Sequence, residues 1–165
     1  MKRIAYSLAV LCLVFEAPAL AQQEAQDGST LGLAERRIVK FFQENSFPEL
    51  TQDANEAAGK ALEYEVNWNQ LAEKGSSHLY QDSWPQIYFE PLVQALEAIT
   101  VDELGQQAIE QGLEKIVIRN QEGCYSPDCW ASFTGKTLTL DHKLANVGDT
   151  DARAKALQTV LENGL

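Results

Sequence analysis

Between residues 61 and 68 the apolar residues change period. Leu62, Tyr64, Val66 and Trp68 alternate with Ala61, Glu63, Glu65 and Asn67. That two-residue repeat is the mark of a strand with one buried and one largely polar face. On either side the period is helical. Upstream, Ala34, Ile38, Phe41 and Phe42 predict a helix over about 33–44, punctuated by Asn45-Ser46. Ser46-Phe47-Pro48-Glu49 has capping-box spacing and predicts a second helix over 48–58, stopped by Gly59. Downstream, Ser83-Trp84-Pro85-Gln86 opens a helix carrying Ile87, Tyr88, Leu92, Val93, Leu96 and Ile99, which Pro91 should kink or restart. Thr100-Val101-Asp102-Glu103 has the spacing to cap another, running to about Leu113.

The last third returns to strands. Ile116-Val117-Ile118 is a β-branched run, and Trp130–Phe133 and Lys136–Leu144 predict two strands joined near Thr134-Gly135. Asp149 precedes a final helix bearing Ala152, Ala156, Leu157, Val160 and Leu161, with Gly164 as its stop. The order is ααβααβββα. The expected fold is α+β: one sheet of about four strands, mainly antiparallel because three strands are close in sequence, with helices on one face.

Composition excludes some classes. With 45% hydrophobic residues the chain can build a core, so disorder is excluded. A formal charge of −11 argues against nucleic acid as a partner, because phosphate binding wants a basic face. Residues 1–21 read as a secretory signal peptide. Lys2 and Arg3 form the positive start, Ile4–Phe15 the apolar stretch, and Ala19-Leu20-Ala21 the small-x-small cleavage pattern. The apolar stretch is too short to span a bilayer, and no other segment is long enough. Residues 22–30 read as a flexible lead-in and 31–165 as one domain. Cleavage after Ala21 removes Cys12 and lowers the net charge to −12. The expected address is the periplasm or the exterior, with no membrane span after signal removal.

Cleavage leaves two cysteines, Cys124 and Cys129, flanking Tyr125-Ser126-Pro127-Asp128. The turn residues between them place the pair at a tight connection between two strands. In an oxidising compartment a disulfide is the default, and closing so small a loop stabilises by about 2 kcal/mol. A labile thiol pair and a metal site are the alternatives. The first usually wants a C-x-x-C spacing, and the second lacks ligands near the pair.

The segment Cys124–Cys129, CYSPDC, resembles the protruding Cys-x4-Cys loop of the periplasmic lysozyme inhibitors of the Ivy type. The resemblance covers six residues, with Pro127 where that family carries a histidine. It implies a preorganised loop that plugs a partner's cleft. A stapled hairpin turn with no further role is the other reading.

No catalytic motif is legible: there is no G-x-S-x-G, H-E-x-x-H or phosphate-binding glycine loop. Asp141-His142 looks like a dyad, but neighbours on a strand point to opposite faces. His142 falls in phase with Leu138 and Leu140, toward the apolar side. His78 and Asp82 give only two metal ligands, and Glu63 and Glu65 share a strand face that reads as solvated. The residues therefore predict no cofactor, metal or catalytic residue. They point to a protein-binding module, such as an inhibitor or immunity-type protein, acting through Tyr125, Ser126, Pro127, Asp128 and Trp130. Its partner would be a protein, and a basic one, because an acidic surface steers basic partners. A small carboxylate-dependent hydrolase and a non-catalytic envelope protein are the alternatives.

Overall fold

In the computed structural model, residues 31–165 are described. The expected signal peptide and lead-in, with Cys12, lie outside the described residues.

The alternation at 61–68 becomes strand β1, Glu63–Val66. It lies at one edge of a four-stranded sheet that also holds β2 (Lys115–Arg119), β3 (Ala131–Thr134) and β4 (Thr137–Asp141), in the order β1-β2-β4-β3. Two apolar rows cross the sheet in register. One is Tyr64, Ile116, Leu138 and Phe133; the other is Val66, Ile118, Leu140 and Ala131. These rows share one face because side chains repeat every second residue. Ile116, Leu138 and Leu140 are completely buried, and with the helices they form the core. The opposite face carries Glu63, Glu65, Lys115, Thr137 and Ser132, and Lys115 pairs with both glutamates. The α+β architecture with helices on one face is thus present.

The pairing differs from expectation in one respect. The sheet is mixed: β1–β2 and β2–β4 are parallel, and only β3–β4 is antiparallel. Sequence proximity favours a three-strand meander, but β4 inserts between β2 and β3. Its Leu138 and Leu140 suit a central position, whereas β3 exposes Ser132 and Thr134 and lies at the edge.

The helices also depart from their sequence signals. The two helices expected at 33–44 and 48–58 are one helix, α1, Leu33–Ala58, with Pro48 inside it. Asn45-Ser46 does not break it. Asn45 donates back to the Phe41 carbonyl, and the Ser46 hydroxyl donates to Gln81 instead of capping. Phe42 and Phe47 anchor the two halves in one aromatic cluster, with ring centroids 5.9 and 5.2 Å from that of Trp68. Tertiary packing overrides the local stop signal. Gly59 does end the helix, in the left-handed conformation (φ 69°) that glycine adopts without penalty. Trp68 is not a strand residue but opens a short helix, α2 (Trp68–Leu71), whose cap is the side chain of Asn67.

The helix expected to start at Ser83 starts earlier. It comprises α3 (Tyr80–Trp84), a π-helical turn (Pro85–Phe89) and α4 (Glu90–Ile99). Ser83 is buried within it and makes no cap. The disturbance expected from Pro91 is this π turn on its N-terminal side. Helix α5 (Glu103–Gly112) is capped by Asp102, which accepts from the Gly105 N–H at 2.8 Å, and not by Thr100. Helix α6 (Thr150–Gly164) follows Asp149, whose side chain makes no capping bond.

Candidate functional site

The stapled segment lies at the carboxyl ends of the parallel strands β1, β2 and β4. Strands β2 and β3 are not neighbours, so the connection from Asn120 to Trp130 must cross the end of β4. This corrects the expected tight turn between adjacent strands. It also brings residues 141–146, which follow β4, against the loop.

Cys124 and Cys129 form a disulfide, with their Cα atoms 5.9 Å apart. Within the loop, the Asp128 N–H donates to the Ser126 hydroxyl at 3.3 Å and the Cys129 N–H to the Ser126 carbonyl at 3.3 Å. Ser126 and Pro127 are half-buried, while Tyr125 and Asp128 are exposed, Tyr125 at 58%.

The loop is held on both sides. On its leading side, Asp141 accepts from the N–H groups of Gln121 (2.9 Å) and Glu122 (3.1 Å) and from Arg119 Nε (2.7 Å). On the other side, the Lys143 N–H donates to the Cys124 carbonyl at 2.9 Å and Asn146 Nδ2 to the Tyr125 carbonyl at 2.7 Å. Asn146 sits at φ 49°, a left-handed position that asparagine tolerates better than most residues. The Lys143 ammonium stands 4.6 Å over the Tyr125 ring, a cation–π contact. Glu73 joins the same end from a third segment, accepting from the Leu144 N–H at 3.0 Å and from Asn120 Nδ2 at 3.4 Å.

Trp130 takes a different part from the one its sequence position suggests. It is completely buried, so it offers no surface to a partner. It supports the loop from beneath, edge-on to His142 with ring centroids 6.5 Å apart. Strand phase alone would set Trp130 on the face of Ser132 and Thr134; it is buried because it precedes β3, at the point where its carbonyl accepts from the Asp141 N–H at 2.7 Å.

Asp141 and His142 do not form a dyad. The Asp141 oxygens are engaged as above, and His142 Nδ1 bonds the Lys143 carbonyl. His142 is buried on the apolar side, as its phase requires, and burial pushes its pKa below the usual histidine value. The carboxyls of Glu35, Glu65 and Glu114 are held below the usual carboxylate range. Glu35 is lowered by the Gly75 N–H bonded to it, and Glu65 and Glu114 by hydrogen bonds from Lys115 and Lys136. His78 and Asp82 are exposed on a different segment. Among the described residues, no three of His, Cys, Asp and Glu gather as a metal site would require. No described helix is long and apolar enough to cross a membrane.

Sequence reasoning found the staple and missed what holds it. Asp141, Lys143, Asn146 and Glu73 come from separate segments, and only Asn146 carried a local signal, as a residue suited to a positive φ. Comparison of the chain with protein-family models, with curated proteins and with solved structures gave no significant match in any of the three. The likeness to the lysozyme-inhibitor loop accordingly stays at the six residues of the staple.

Proposed function

We propose that this protein is a secreted or periplasmic protein-binding module whose contact element is the loop Tyr125–Asp128. The observation that carries the reading is the restraint of an exposed segment. A disulfide closes it, Asp141 holds its leading side, and Asn146 and Lys143 hold Tyr125. Such restraint lowers the entropy lost on association. An exposed tyrosine is a suitable anchor, because tyrosine is enriched among residues that dominate interface energies. The acidic charge supports a basic partner, and the amino-terminal pattern together with the disulfide supports an oxidising, extracytoplasmic address.

The test is capture of the partner by the oxidised mature chain from envelope extracts, beside a Tyr125→Ala/Asp128→Asn variant. One stoichiometric protein retained by the first bait and lost by the second supports the reading. A partner held equally by both baits, or none at micromolar bait, overturns it.

A further inference from the structure

The opposite end of the sheet carries a second surface. Helix α5 leads directly into the amino-terminal end of β2, whereas the staple follows that strand's carboxyl end. Two clefts flank α5. One, of about 520 Å³, is lined by Val101, Leu104 and Leu165, exposed at 80%, 77% and 37%. Asp102 and Glu162 line it too. The other, of about 440 Å³, lies between α5 and the end of α1 and is lined by Glu56, Glu103 and Glu110. Among the described residues, neither cleft is lined by a lysine, arginine or histidine and none of these five carboxylates is in an ion pair; the Lys60 ammonium stands beside the second cleft, bonded to the Glu110 carbonyl at 2.7 Å.

Val101 and Leu104 are held in place by the backbone. The Asp102 cap orients the first turn of α5, and Gly105 lets that turn pass so close to Ile99 that a Cβ would lie 1.7 Å from its carbonyl oxygen. The two apolar side chains are thus displayed by a rigid corner and not by a loose loop. An exposed apolar group rimmed by polar residues marks an interaction site.

We propose that this corner docks an amphipathic helix with lysine or arginine on its flanks. Apolar residues at i, i+3 or i+4 would meet Val101, Leu104 and Leu165. The basic flanks would meet Asp102, Glu162 and the glutamates of the adjoining cleft. Charge complementarity selects this occupant. A second copy of the chain would set the same acidic residues against themselves, because a two-fold contact repeats one patch. An anionic membrane surface would be repelled in the same way.

The probe is a fluorescein-labelled synthetic peptide of about four helical turns, with leucines at i, i+3, i+4 and i+7 and lysines flanking them. It is titrated with the oxidised mature protein and read by anisotropy, beside a scrambled peptide of the same composition. The amphipathic peptide is expected to bind about tenfold more tightly than the scramble, and Val101→Ser/Leu104→Ser to remove that margin. Both substitutions are at exposed positions, so the fold should survive them. Equal binding of the two peptides, or an unchanged margin in the double variant, overturns the proposal. So does self-association of the protein that the double variant abolishes. Tyr125→Ala should leave peptide binding unchanged, which keeps this result separate from the fate of the stapled loop.

Discussion

Arg153 donates through Nη2 to the carbonyl of Gln86, 3.3 Å away and 67 positions earlier in the chain. In an unbroken α-helix that carbonyl would receive the Glu90 N–H. Here the Glu90 N–H goes to Pro85, and the next turn offers Pro91, which has none. The π turn therefore frees an acceptor, and Arg153 takes it together with the Thr150 hydroxyl. Arg153, fully buried, also donates to the carbonyls of Asn146 (2.9 Å) and Val147 (2.7 Å). One buried guanidinium thus ties the π turn between α3 and α4, helix α6 and the segment that holds Tyr125.

Arg153→Met keeps most of the volume and removes these bonds. It should cost about 3 kcal/mol, since hydrogen bonds to a charged donor are worth roughly 1.5–3 kcal/mol each and are not additive. Denaturant unfolding measures the loss. Hydrogen exchange should show residues 142–149 opening before the sheet. A cost near zero would mean the carbonyls are served equally well by water.

Stability should depend on the protonation of His142. Its folded pKa lies below the value it has when unfolded, about 6.5. As pH falls through that value the unfolded chain binds the proton first, so stability is complete above it and declines below it, until the pH passes the folded pKa. Its Nε2 is buried, so a proton placed there would put a charge where water does not reach. His142→Gln should flatten the profile between pH 7 and 5, measured by urea midpoints. An unchanged slope would assign the dependence to other groups.

Removing the staple tests stability and binding separately. Cys124→Ser/Cys129→Ser should lower stability by about 2 kcal/mol while leaving the far-ultraviolet spectrum unchanged. Binding of the captured partner should weaken further than this stability loss alone would produce, because Tyr125 then adopts many positions. Equal affinity in the two forms would show that the clamps from Asn146 and Lys143 suffice.

Two glycine substitutions should differ in kind. Gly59→Ala meets open space and pays only for a positive φ, about 1 kcal/mol. Gly105→Ala would drive a methyl into the Ile99 carbonyl, so α5 must move, at a cost of roughly 1–3 kcal/mol. Thermal midpoints compare the two, and equal shifts would contradict the close approach.

The residues by themselves determined the elements' periods, and those periods are local. Alternation at 62–66 and 138–140 marks which side of a strand is buried wherever that strand is placed. The stop at Gly59 needs only glycine's freedom, and the cysteine pair needs only its spacing. What neighbours in sequence could not decide was which strands lie side by side. β4 enters between β2 and β3 because its leucines fill a central row of the core, and that choice sends the stapled connection over the end of a strand instead of around a hairpin. From it follow the burial of Trp130, the engagement of Asp141 by the loop's own N–H groups, and the reach of Asn146 to Tyr125. The same holds for α1, where Phe42 and Phe47 in one aromatic cluster outweigh Pro48 and the stop signal beside it. Local rules fix what a segment prefers to be, whereas the burial of its side chains against distant ones decides where it goes and what surface is left facing water.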